Sequence, residues 1–190
     1  MWRRAALGAF LALCACAASP GGTPRPAADA FPPSADGLGL RPGSDLVLSA
    51  VMSARSALAD PPTRIGPNPA YAARIIGQLE YVAAMINEPR FITIAPIAAP
   101  QLAFGRAEAR QVLGLRQDAS PHEAIGALAG AAAALDRGDR AAARAALAPV
   151  SPEPEATLAT LASLPGLPRA SAALALTERI YDRINSPFFF

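Results

Sequence analysis

The sequence predicts an all-α domain, and three observations carry that expectation. Apolar residues recur at three- and four-residue spacing along most of the chain after residue 43. Polar caps followed by proline, the signature of a helix start, stand at Asn68-Pro69 and Ser120-Pro121. Strand-like text is confined to Phe91-Ile92-Thr93-Ile94 between Pro89 and Pro96, and one such run has no sheet to join. The hydrophobic fraction is 52%, much of it alanine, which suits helices and buries little area per residue. The expected architecture is an irregular bundle of about five to seven short helices over residues 44–190.

Ahead of that domain, Arg3 and Arg4 precede an apolar run from Ala5 to Ala15. Residues 1–15 therefore have the layout of a signal peptide, too short for a comfortable permanent span. The only two cysteines, Cys14 and Cys16, sit at its end, so residues 44–190 have neither disulfide nor thiol chemistry. Leu13-Cys14-Ala15-Cys16 resembles the lipobox of bacterial lipoproteins, with an aliphatic residue three positions before the acylated cysteine and alanine immediately before it. The resemblance covers the leader alone. It implies lipidation of Cys16, the lipid bilayer as a partner, and a domain facing the periplasm of the cell envelope, on the outer membrane in preference to the inner. Cleavage without acylation, leaving a soluble periplasmic protein, is the alternative.

Residues 17–43 hold six prolines and no helical periodicity, so residues 16–43 read as the lipidated cysteine and a disordered tether. A flexible coil of that length would average roughly 30 Å end to end, or about 80 Å drawn out as polyproline II.

The first helix is expected to start at Ser44 as cap, with Asp45 in its first turn, and to carry Leu46, Val47, Ala50, Val51, Ala54 and Leu58 until Pro61 and Pro62 stop it. Asn68-Pro69 opens a second helix running to about Asn87. The strand-like residues from Phe91 to Ile94 read as an extended segment over the bundle, followed by a helix from Leu102 to Leu113 that closes at Gly114. Ser120-Pro121-His122-Glu123 is a capping box with proline at N1. Gly138 ends that helix and Asp139 caps the next, an αα-hairpin that resembles half of a tetratricopeptide repeat without a second copy at the repeat period. Ser151-Pro152 starts a short segment with Leu158 and Leu161. Pro168 opens the last helix, with Ala173, Leu176, Ile180 and Ile184 on one face.

The residue inventory excludes several kinds of chemistry. All seventeen basic residues are arginine, and removal of residues 1–15 leaves fifteen against fifteen acids. A near-neutral chain has no electrostatic footprint for nucleic acid. The single histidine, His122, lies in a helix first turn and cannot by itself build a triad or a histidine metal site, so no cofactor and no metal are expected. Glycine loops for phosphate and G-x-S-x-G elbows are missing from the sequence. A hydrolase built on two carboxylates is the one enzyme class the inventory leaves open.

The helix after Asn68 is the most informative surface. Ala72, Ile75, Ile76, Leu79, Val82 and Ile86 form one stripe, and Tyr71, Arg74, Gln78, Tyr81 and Met85 an adjoining one. An arc this wide implies a central helix. Tyr71, Arg74, Gln78 and Tyr81 then either frame a groove for a planar or anionic ligand or a partner's peptide, or flank the core with Arg74 snorkelling outward. Phe188, Phe189 and Phe190 either plug the bundle or form an end that a partner recognises.

The resulting expectation is a membrane-anchored envelope lipoprotein whose domain is a non-catalytic interaction or scaffolding module with an envelope protein as partner. The alternatives are a small-ligand-binding protein using the tyrosine-framed face and a carboxylate-based hydrolase. Cys16→Ser is expected to abolish fatty-acid incorporation and membrane association while the domain stays folded. Metabolic labelling followed by membrane fractionation reads this directly, and label retained by the variant refutes the anchor.

Overall fold

The computed structural model describes residues 33–41 and 45–185, the side chains of 184 and 185 excepted. The leader, Cys16, the first part of the tether and the three terminal phenylalanines lie outside the described residues. Within them the protein is all-helical with no strand: α1 (Leu46–Leu58), α2 (Pro61–Arg64), α3 (Pro69–Met85), α4 (Ala95–Leu113), α5 (Pro121–Asp136), α6 (Arg140–Leu147), α7 (Pro154–Ala162) and α8 (Pro168–Asn185). The count of eight exceeds the expected range because Pro61 and Pro62, which stop α1, also begin a one-turn helix, where their missing N–H groups cost nothing.

Local chemistry sets most boundaries. The Asn68 side-chain Oδ1 accepts from Tyr71 N–H at 2.9 Å, and Asp139 Oδ1 accepts from Ala142 N–H at 2.8 Å. Ser120 and Glu123 complete the capping box in both directions, at 3.2 and 2.8 Å. Gly114 and Gly138 end their helices with φ of 67° and 73°, the left-handed conformation that favours glycine. The cap of α1 is Asp45 rather than Ser44: its Oδ1 accepts from Val47 and Leu48 N–H. Likewise α7 begins at Pro154, past the expected Ser151-Pro152 start.

Two segments depart further from expectation. Residues 89–94 are not extended; Pro89–Phe91 is a 3-10 turn, with Ile92 N–H bonded to the Pro89 carbonyl and Ile94 N–H to that of Phe91. Without a neighbouring strand, local bonds satisfy this backbone. α4 then starts at Ala95 and continues through Pro100, where one helical hydrogen bond is given up. The second departure is the tether, whose last part is docked. Residues 36–39 form a turn with Gly37 and Gly39 left-handed, and between them Leu38 is fully buried. Its side chain fills the space above Gly77 of α3, where an added Cβ would lie 2.6 Å from Leu38 Cδ2. Burying a leucine is worth about 1.5–3 kcal/mol, enough to hold a short loop to the body.

α3 is the central helix. Thirteen of its 17 residues are buried, and it packs against α5, α1, α4 and α7. α6 folds back on α5, and α8 covers α4 and α1. The buried side of α8 is carried by Ala170, Ala173, Leu174 and Thr177, with Leu176 only half-buried. α4 and α8 run antiparallel: Glu108 caps Ala170 N–H at 2.9 Å near one end, while Tyr181 meets Phe91, just before α4, at the other. Their approach requires Gly105, since a Cβ there would sit 2.7 Å from the Ala170 Cα.

Two glycine-to-alanine changes are therefore expected to have opposite signs. Gly105→Ala pushes backbone against backbone and should cost about 1–3 kcal/mol. Gly126→Ala, on the exposed side of α5 with nothing within 4 Å, should gain about 0.5–1 kcal/mol from helix propensity. Denaturant midpoints of the two variants test both, and a neutral Gly105→Ala would contradict the packing.

Candidate functional site

The face expected to bind is covered by the protein's own chain. Gln78 is 3% exposed, and its Nε2 donates to the Leu38 carbonyl at 2.9 Å, while its Oε1 is buried without a hydrogen-bond partner. Arg74 lies against Gly39 and pairs with Asp136 at the end of α5. Glu178 of α8 pairs with Arg55, at 2.9 Å. Tyr71 is partly buried against the core. Tyr81, 4% exposed, belongs to a different neighbourhood, near the charges of Arg90, Glu88 and Asp45. So Arg74 and Gln78 share the docked turn, Tyr81 does not join them, and the four residues do not frame one groove.

The most heavily committed polar group in α3 is one that the stripe pattern passed over. Glu80 is fully buried, and Arg110 of α4, 2% exposed, grips it with both arms: Nε to Oε1 at 2.6 Å and Nη2 to Oε2 at 2.8 Å. The remaining Nη1 donates to the carbonyls of Gln117 and Ala119 at 3.0 and 2.8 Å, with Arg116 O at 3.4 Å. A planar fork suits a carboxylate in this way, and few other side chains could satisfy so many acceptors at once. The available signal was that Glu80 is the sole acid in a helix apolar or small on nearly every side, so it had to be paired. Which arginine pairs with it was not legible.

A second polar cluster ties α8 to the start of α1. The Tyr181 hydroxyl donates to Asp45 Oδ2 at 2.6 Å, so this carboxylate caps α1 with one oxygen and holds α8 with the other. Arg90 stands 3.9 Å from Asp45 and 3.1 Å from Glu88, with its guanidinium 4.4 Å above the Phe91 ring. Burial pushes the Tyr181 hydroxyl up, and the Asp45 carboxylate pushes it further, to about 12. Burial also raises Asp45, but the Tyr181 hydroxyl, two backbone N–H groups and Arg90 outweigh it and hold the carboxyl below its ordinary value. Tyr81 is raised by burial against the opposing pull of Arg90. Every one of these shifts runs away from neutral pH, the opposite of what a general acid or base needs. The cluster is a latch.

Other carboxylates also serve structure: Asp136 and Glu155 face Arg74 and Arg140, and Glu108 caps α8. Among the described residues no three His, Cys, Asp or Glu side chains group closely enough to hold a metal ion. Apolar surface also stays exposed on α4. Ile97 and Phe104 are 55% and 57% exposed on one side of this helix, with Val112 beyond them. Phe104 borders a groove of about 550 Å³ shared with Gln101, Pro168, Arg169 and Ala172. Past Pro168 and Ala172 the surface dips again into a second groove of about 440 Å³ beside Leu58 and Pro61. Comparison with protein-family models, curated proteins and solved structures finds no match to this chain.

Breaking the buried fork from one side should be severe. Glu80→Leu or Arg110→Met each leaves the opposite charge buried, at an expected cost of about 3–5 kcal/mol. The double variant should recover only part of this loss, because the carbonyls of Gln117 and Ala119 still lack their donor. A double-mutant cycle on urea midpoints checks it; full recovery would mean those carbonyl bonds contribute nothing.

Proposed function

We propose that this chain is a lipid-anchored protein of the cell envelope, held through Cys16, whose helical domain is a non-catalytic interaction module. Its docking surface is the outer side of α4 together with the start of α8. The observation that carries the reading is the pairing of exposed Ile97 and Phe104 with the groove at Gln101, Pro168 and Arg169, while the buried charged side chains, Glu80 and Arg110, are committed to each other. Apolar side chains at one-face spacing fit an amphipathic helix of an envelope protein, and Arg169 at the rim favours an acidic residue beside the partner's apolar anchor. A ligand site at Tyr71, Arg74 and Gln78 finds support only in the unpartnered Gln78 oxygen, and Leu38 covers that face.

The docked turn limits geometry as well. With residues 36–39 held to the body, only the stretch from Cys16 to about residue 33 is left to separate domain from bilayer. Fully extended, that is at most about 60 Å.

A photo-crosslinking residue placed at Phe104 of the full-length, membrane-bound chain should give a discrete protein adduct. The same residue at exposed Arg137, on the far hairpin, should give none. No adduct from position 104, or identical adducts from both positions, would overturn the docking surface.

A further inference from the structure

We propose that the docked turn of residues 36–39 is a reversible strap over a peptide-binding slot between α3 and α5, and that the slot takes a leucine-bearing segment of a partner when the strap lifts. The slot uses none of the residues of the α4 surface proposed above, so either reading can fail alone.

The present occupant shows what fits. Leu38 is the only fully buried residue from 33 to 41, and its side chain takes the space that the missing side chain of Gly77 leaves beside Leu128. A glycine within α3 weakens the helix, and here its absent Cβ is what makes room for the leucine. On the strap, Gly37 lies against Ala129 of α5, where a Cβ would come within 3.1 Å of Ala129 Cβ, and Gly39 lies against Arg74 of α3. Both glycines are exposed and left-handed. Glycine loses the most conformational freedom on ordering, so a turn with one buried side chain between two glycines is held weakly, as a displaceable element must be.

The polar side of the slot is only half used. Gln78, 3% exposed, donates from Nε2 to the Leu38 carbonyl at 2.9 Å, while Oε1 of the same amide is buried and receives no hydrogen bond among the described residues. A buried amide oxygen without a donor is costly. A peptide that reproduces the leucine and its carbonyl, and also turns a backbone N–H towards Oε1, satisfies both ends of the amide and displaces the strap at equal local concentration. The class of partner follows: an exposed stretch of chain read through one aliphatic side chain and its own backbone. Until such a segment arrives, Leu38 keeps the apolar slot from chance contacts.

The test uses the full-length chain in detergent micelles. Leu38→Cys, alkylated with iodoacetamide and read at residue 38 by mass spectrometry, should react about a hundredfold faster than Val51→Cys in the core of α1, because the strap opens without unfolding the helices. Equal rates would mean that Leu38 moves only with the whole core and would overturn the proposal. In Leu38→Ser the slot is empty, and circular dichroism should show the helices intact. A peptide of residues 33–41 carrying a diazirine analogue of leucine in place of Leu38 should, on irradiation, attach to residues 74–78 or 128–129 of this variant about tenfold more than in wild type, where the tethered strap competes. Adding Gln78→Leu should cut that yield about fivefold by removing the amide. Loss of helical structure in Leu38→Ser, equal attachment to variant and wild type, attachment on α4, or none at millimolar peptide overturns the slot, and a yield that Gln78→Leu leaves unchanged overturns the role of the amide.

Discussion

A carboxylate at the centre of the innermost helix constrains everything around it. Glu80 has no access to water, and an ionised carboxyl in such a place is tolerable only with a full set of donors. Arg110 supplies two of them and hands its third nitrogen to the loop that follows α4. One guanidinium therefore sets the distance between α3 and α4, the path of residues 114–120, and so the position from which the Ser120 box launches α5. The loop is secured at its other side too, where Arg116 N–H donates to the Val150 carbonyl at 2.8 Å.

Such a polar hub has particular value in a core rich in alanine. Small side chains let helices approach closely, as α4 and α8 do at Gly105 and Ala170, but they interlock weakly and bury little area. Directional bonds then discriminate between alternative packings. Ser151, Thr157 and the Leu113 carbonyl form a second buried chain of this sort, with both links at 2.8 Å, joining α7 to the end of α4. The Asp45–Tyr181 bond does the same for α1 and α8.

The surface divides accordingly. Charged side chains pair across helix ends, as Arg55 does with Glu178 and Arg140 with Glu155, and exposed pairs of this kind contribute only about 0–1 kcal/mol each. Larger energies are available to whatever covers Ile92, Ile97 and Phe104, since each buried apolar side chain of that size is worth about 1.5–3 kcal/mol. The energetics of the domain's stability lie at the contacts between α3 and its neighbours.

What the sequence by itself determined is the all-α class, the central role of the helix after Asn68, and the caps at Asn68, Ser120 and Asp139 with the left-handed glycines 114 and 138. These are local properties: a cap acts over three residues, and an apolar stripe is read within one helix. Pro96 and Pro100 hid the first turns of α4, because local rules count proline against a helix that tertiary packing nevertheless holds. Only the tertiary structure decided that Leu38 closes the face of Arg74 and Gln78, that Asp136 meets Arg74, and that Glu80 answers Arg110. Those contacts join residues 40, 62 and 30 positions apart, and nothing in the spacing of either partner specifies the other; their pairing follows from which helix faces are left to meet once the apolar stripes have packed.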